Sequence, residues 1–285
     1  MSNNIFNLTG WKVIIHCLVG VVGYLLIQSF GAFIFSVVPN KTITYPITAA
    51  ISIGLLFLVL YLYSNKVLRV PLAEFRVRKP QTFVVWIVCA FALPIMVSAF
   101  FIIFVPGTYT NHNLDIGQTL PILSEALFAI CFTAGICEEF LFRGYIMRLL
   151  EARWNRIVAV LAPSMVFGVL HIIGMPEPNL LNISILFVAG TSVGVMFSMI
   201  AYQTNSIWPS AIVHGVWNLV IIGKIMDISA VHQGESLFTY TLQTKSIVLT
   251  GGSFGIESSI PAIIGYWVVI LIAVFLQKKH AKSNI

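Results

Sequence analysis

The chain has 285 residues, of which 58% are hydrophobic and only 9% charged. Soluble domains carry roughly 25% charged residues, so the polar surface needed to cover a water-facing body is missing and a soluble globular protein is excluded. The net charge of +6, which in a soluble chain would point to nucleic acid, here orients the chain in a bilayer, and no nucleic-acid partner is expected.

Eight apolar stretches are long enough to span a hydrocarbon core of about 30 Å: residues 13–38, 46–63, 83–105, 120–148, 157–173, 181–201, 207–223 and 260–276. The fold class expected is therefore all-α, a polytopic membrane protein of about eight transmembrane helices. Residues 1–285 are read as one integral membrane domain with its chemistry between about 120 and 223. The first stretch is longer than a signal-peptide core and shows no small-residue cleavage site, so it is read as a retained span. Cys17, Cys89, Cys131 and Cys137 all lie in apolar runs, where a thiol behaves as a small hydrophobe, and neither a disulfide framework nor a CxxC motif is present.

With the N-terminus inside, the internal segments hold Lys12, Lys66, Arg69, Arg76, Arg78, Lys79, Arg143, Arg148, Arg153, Arg156, Lys278, Lys279 and Lys282, and the external ones only Lys41, Lys224 and Lys245. Thirteen basic residues against three place both termini in the cytoplasm. The basic cluster from Lys66 to Lys79, with Pro71 and Pro80, is read as a juxtamembrane linker, a topology determinant or an interfacial helix on anionic lipid. The outer loop 226–259 is polar and Gly/Ser-rich and carries no recognisable chemistry.

Ionisable groups in hydrocarbon cost roughly 2.5–3.5 kcal/mol each, so those in spans mark function. They are His16, Glu125, Glu138, Glu139, Arg143, His171 and His214, with Asn218 as a polar neighbour. Glu138 and Glu139 point about 100° apart on a helix and can hold separate roles. Arg143 follows Glu139 by four residues, the spacing of an ion pair on one helix face. His214 and Asn218 are also four apart and aim an imidazole and an amide at one point. If the fourth and fifth spans form an antiparallel hairpin, Glu138 and His171 sit at one height, and His214 joins them if that hairpin protrudes by about 10 Å. His16 and Glu125 stay outside this group, each expected to find a local polar partner.

Several hydrolytic routes fall away. No HExxH motif is present, and the two aspartates, Asp115 and Asp227, lie in or beside outer loops. A serine nucleophile such as Ser192 with His214 stays open on the bare Gly190-Thr191-Ser192 tripeptide. The best fit is water activated by a glutamate and a histidine, with donors for the oxyanion at His214 and Asn218. A different class, a non-catalytic transporter or immunity protein, uses similar intramembrane carboxylates as proton relays, but no repeated halves or paired interrupted helices are visible.

Glu138-Glu139-Phe140-Leu141-Phe142-Arg143 fits EExxxR, Phe167-Gly168-Val169-Leu170-His171 fits FxxxH, and His214-Gly215-Val216-Trp217-Asn218 fits HxxxN. In that order, on successive apolar helices, they resemble the CAAX protease and bacteriocin-processing family of intramembrane endopeptidases, which includes the type II CAAX prenyl proteases. The resemblance spans about Glu125 to Asn218. It implies a glutamate-dependent endopeptidase of a membrane-associated substrate, either prenylated or of the pheromone or bacteriocin type. Glu138 would be general base on water, His171 its assistant, and His214 and Asn218 the oxyanion donors, with Glu139, Arg143 and Phe167 supporting them. No cofactor is required in that scheme. The alternative it carries is zinc, with Glu138, His171 and His214 as three ligands and one open position. Short loops and the absence of an organelle signal point to a bacterial plasma membrane.

Overall fold

The structure, a computed structural model, describes residues 5–79, 83–173, 175, 178–232 and 234–283. Pro80 of the basic linker lies outside the described residues. The protein is an all-α polytopic membrane fold. Its helices are α1 (Gly10–Val37), α2 (Lys41–Leu68), α3 (Val84–Phe104), α4 (Ile116–Arg153), α5 (Arg156–Ile173), α6 (Leu180–Thr204), α7 (Trp208–Ile221) and α8 (Ile260–Ser283). Among the described residues, seven of these are long and apolar enough to cross a membrane.

The eighth expected span is α7, and it is shorter than its apolar stretch. It has 14 residues, or about 21 Å at the helical rise, which falls short of a hydrocarbon core. It tolerates this because it is enclosed by protein. Pro209, Ser210, Ala211, Val213, His214, Gly215, Trp217 and Asn218 are all buried in it. A helix lined by protein need not match lipid thickness. The chain still runs from the basic linker to the sheet along it.

Two faces follow from the contacts at the helix ends. On one, Gly10 at the start of α1 lies against the Trp154 ring, and Arg156 at the start of α5 donates to Gln277 near the end of α8 at 2.6 Å. Arg76 pairs with Glu151 at 2.7 Å, and its carbonyl accepts from Ile207 N just before α7. The ends of the first and last helices thus share one face with the basic linker. After α2 the helical part of the linker is a single 3-10 turn, Leu72–Phe75, and Arg76 is buried against Glu151 and the Tyr202 ring.

The other face carries a small sheet in the order β1-β3-β2, built from β1 (Gly107–Asn111), β2 (Met226–Ser229) and β3 (Phe238–Leu242). β1 and β3 are antiparallel, with Tyr109 opposite Tyr240, whereas β2 and β3 are parallel, with Met226 opposite Phe238. The alternating Thr-Tyr-Thr runs in β1 and β3 suit a pleated, half-buried surface. Tyr240 OH donates to Val105 O at 3.0 Å and ties the sheet to the end of α3.

Close helix contact comes from small residues, as is usual where lipid supplies no hydrophobic drive. A Cβ on Gly135 would meet Gly215 Cα at 3.0 Å, and one on Gly190 would meet Gly168 Cα at 2.7 Å. The first contact seats α7 on α4, and the second seats α6 on α5.

Candidate active site

The site is assembled where α4, α5 and α7 meet. α4 has 38 residues, and its hydrogen-bond ladder widens to π geometry at Glu125–Ala134 and again at Phe140–Ile146. The short α-helical turn Gly135–Glu139 between them carries both glutamates. Such π segments shift side-chain register and leave carbonyls open to other partners. One of these is Ile130 O, which accepts from Asn218 Nδ2 at 3.2 Å.

Glu139 and Arg143 form the fully buried core of the site. Arg143 Nη1 donates to Glu139 Oε1 at 2.9 Å, with the two side chains 1% and 0% exposed. Arg143 Nη2 donates to Gly194 O at 3.2 Å, and its guanidinium lies 4.8 Å from the Phe167 ring centre and 5.1 Å from that of Phe197. Two aromatic faces, a carboxylate and a carbonyl thus replace water around the cation.

The same Glu139 oxygen takes His214 Nδ1 at 3.0 Å. An ionised carboxylate only accepts, so Nδ1 carries a proton and Nε2 points the other way. That nitrogen lies 3.9 Å from Glu138 Oε2, a gap that suits a bridging water better than a direct hydrogen bond. Phe197 stacks on the imidazole with ring centres 4.5 Å apart and fixes its plane. The adjacent glutamates therefore do separate things: Glu139 orients a histidine from within the bundle, and Glu138 faces a cavity.

His171 stands near the sheet-face end of α5. Its Nδ1 is 2.8 Å from Phe167 O, and since a carbonyl only accepts, Nδ1–H donates and Nε2 keeps its lone pair. Glu138, His171, His214 and Asn218 all line one cavity of about 70 Å³. Ser192 is buried and does not line it. His16 bonds Tyr63 at 2.7 Å, and Glu125 lies 4.0 Å from Lys224, so both have the local partners expected of them.

Two further residues reach the cavity region without having been read from the sequence. Tyr24 on α1 donates its hydroxyl to Glu138 Oε1 at 3.5 Å. Its hydroxyl also accepts from Gln28 Nε2 at 3.0 Å, a polar pair four residues apart on α1 that was the available signal. Glu257 lies in the outer loop that carried no recognisable chemistry, yet it lines the cavity together with Phe254 and Tyr266. Among the described residues its carboxyl has no hydrogen-bond or ion-pair partner, and removal from water pushes its pKa up to about 8.

The zinc alternative needs Glu138, His171 and His214 gathered as ligands. Among the described residues, no group of three or more His, Cys, Asp or Glu side chains is placed to hold a metal ion. The side chains as arranged do not form that ligand set.

A multi-pass membrane fold with a buried glutamate–histidine–arginine centre beside a small cavity is the class defined by these observations. Residues 121–220 match the family model of the Rce1-like type II CAAX prenyl endopeptidases. The matched segment holds all three motifs, in agreement with the resemblance that they carry, while Tyr24 and Glu257 lie outside it. No curated protein and no solved structure matches the chain.

Proposed function

We propose that the protein is an intramembrane endopeptidase that cleaves a membrane-associated peptide with water activated by Glu138. The observation that carries this reading is the convergence of Glu138, His171, His214 and Asn218 on one cavity. Glu138 takes a proton from water, and the oxygen attacks the peptide carbonyl carbon. His171 Nε2 accepts a hydrogen bond from the same water and holds it in line. The oxyanion is then held by the second N–H of Asn218, beside the His214 ring that Glu139 orients. When the C–N bond breaks, Glu138 returns its proton to the leaving amine. Glu139 and Arg143 act through His214 and touch no substrate.

The basic face is the cytoplasmic one in this reading, with both termini inside and the sheet outside, in a bacterial plasma membrane. The whole chain works as a single membrane domain.

The test is hydrolysis by purified protein in vesicles with no ion gradient, with a lipid-anchored peptide as substrate. Glu138→Gln should lower kcat by about 10²- to 10⁴-fold, the range of a lost general base, with Tm unchanged. Chelation should leave the rate intact. Full activity in the Gln variant would sink the assignment. Stoichiometric zinc, lost in His214→Ala together with activity, would replace activated water by a metal-bound nucleophile.

A further inference from the structure

A second and larger cavity adjoins the candidate active site on the sheet side. Its volume is about 540 Å³, and Ile222, Phe254 and Glu257 line both cavities. These three residues form a neck between a small chamber that holds the motif residues and a wide, partly polar vestibule. The vestibule wall includes Asn179, Thr244, Lys245 and Ser253, with Asp227 to Val231 contributed without a break.

That unbroken run decides what the wall presents. Side chains of a strand alternate between faces, so a cavity against one face of a sheet would meet every second residue. Asp227, Ile228 and Ser229 are three consecutive residues of β2, and Ala230 and Val231 continue the wall past its end, so the cavity meets the strand along its edge. β2 is the edge strand in the order β1-β3-β2, and its parallel partner β3 occupies only one side. Among the described residues no strand pairs with the other side of β2, whose few backbone N–H and C=O groups are a template on which an extended chain adds as a new strand.

The placement of the motif residues agrees with approach from this side. His171 is two residues from the end of α5 at Ile173, and Asn218 is three from the end of α7 at Ile221. Both helices end toward the sheet. Toward the basic face the centre is closed by Arg143, Phe167 and Phe197, all buried.

We propose that the vestibule is the substrate subsite of this enzyme, and that an extended peptide enters from the sheet face, pairs with the free edge of β2 and passes its scissile bond through the neck to Glu138. Backbone pairing makes the substrate class an unfolded segment on the sheet face, read mainly by its main chain. The proposal rests on the endopeptidase reading for what happens beyond the neck, but binding at β2 is measurable without turnover.

The experiment places an environment-sensitive fluorophore on Gln243→Cys, an exposed position of the vestibule wall, and on Ala152→Cys at the basic face as control. The probe is an N-palmitoylated decapeptide of mixed sequence, added to the protein in vesicles, with a second version N-methylated at alternate residues. The expected result is a saturable emission change at 243 and none at 152, equal in the parent and in Glu138→Gln. The register of N-methylation that removes the paired N–H groups should weaken binding by about tenfold or more. Equal affinity for both peptides, or hydrolysis without a change at 243, overturns the subsite and leaves the endopeptidase standing. Register-dependent binding without hydrolysis in the parent keeps the subsite and overturns the endopeptidase.

Discussion

Glutamate and arginine side chains are paired in two regions of this molecule, with opposite consequences. At the centre, Glu139 and Arg143 come from one helix, four residues apart, and neither meets solvent. At the basic face, Arg76–Glu151 and Arg148–Glu74 join segments 75 and 74 residues apart, and Glu74 is 43% exposed. The inner pair is built locally but surrounded by distant elements: Gly194 from α6, His214 from α7 and two phenylalanine rings. The outer pairs are built from distant segments but border water. A local pair enclosed in low dielectric carries geometry for chemistry, because losing one member leaves a buried charge. A long-range pair with an exposed member, such as Arg148–Glu74, fastens a linker, because water can replace that member.

The largest expected effect tests the inner region. Arg143→Ala leaves Glu139 without its cation and removes the filling between Phe167 and Phe197. Breaking a buried pair in this way costs about 3–5 kcal/mol, so Tm in detergent, yield and activity should all fall. A variant that keeps its wild-type Tm would place Arg143 among the rim pairs and end the distinction.

Asn218→Ala comes next. Its amide is tethered to Ile130 O with one N–H left for the cavity, so the loss should fall on kcat, by about 10²- to 10³-fold for one oxyanion donor, with KM little changed. A rise in KM at constant kcat would make Asn218 a ground-state binding residue instead.

How much of this was legible in the sequence differs between the same two regions. The i, i+4 spacing of Glu139 and Arg143 was sufficient, because one helix turn fixes both side chains. The convergence of Glu138, His171 and His214 was compatible with hairpin geometry, and the order of the motifs did the rest. The partner of His214 was not legible. Either of two adjacent glutamates could have faced it, and only the seating of Gly215 on α4 decides for Glu139. The length of α7 was missed because apolar composition reports burial without saying whether lipid or protein does the burying. The sheet was missed because strands of four and five residues sit in loops whose period-two pattern is too short to stand out. Glu257 was missed with it, since nothing in its local sequence marks a carboxyl that only the tertiary fold carries to the cavity.

Glu257 provides a test at the boundary between centre and rim. Its pKa is raised from 4.5 to about 8, so between these values the folded protein holds a proton that the unfolded chain has released. Its contribution is fully present below about pH 4.5 and is lost as pH rises through about 8. Glu257→Gln should remove this slope, and its Tm advantage over the parent should grow with pH across that window. The cavity also contains Glu138, His171, His214 and Tyr266, so only the difference between variant and parent isolates Glu257. A difference that stays flat with pH would mean that water reaches this carboxyl freely from the vestibule.

The smallest effect belongs to the rim. Arg148 lies 3.2 Å from Glu74 and 3.7 Å from Glu151, so truncating Glu74 leaves the guanidinium a second carboxylate and access to water. Exposed pairs contribute about 0–1 kcal/mol, and the Debye length of about 8 Å at physiological salt screens what remains. Glu74→Ala should therefore shift Tm only slightly, the shift should shrink further in high salt, and kcat should not change. Melting curves of the parent, Glu74→Ala and Arg143→Ala at two salt concentrations put both regions on one scale. A salt-insensitive loss in Glu74→Ala as large as that in Arg143→Ala would show that the linker helps to hold the centre, and the two regions would then form one cooperative unit.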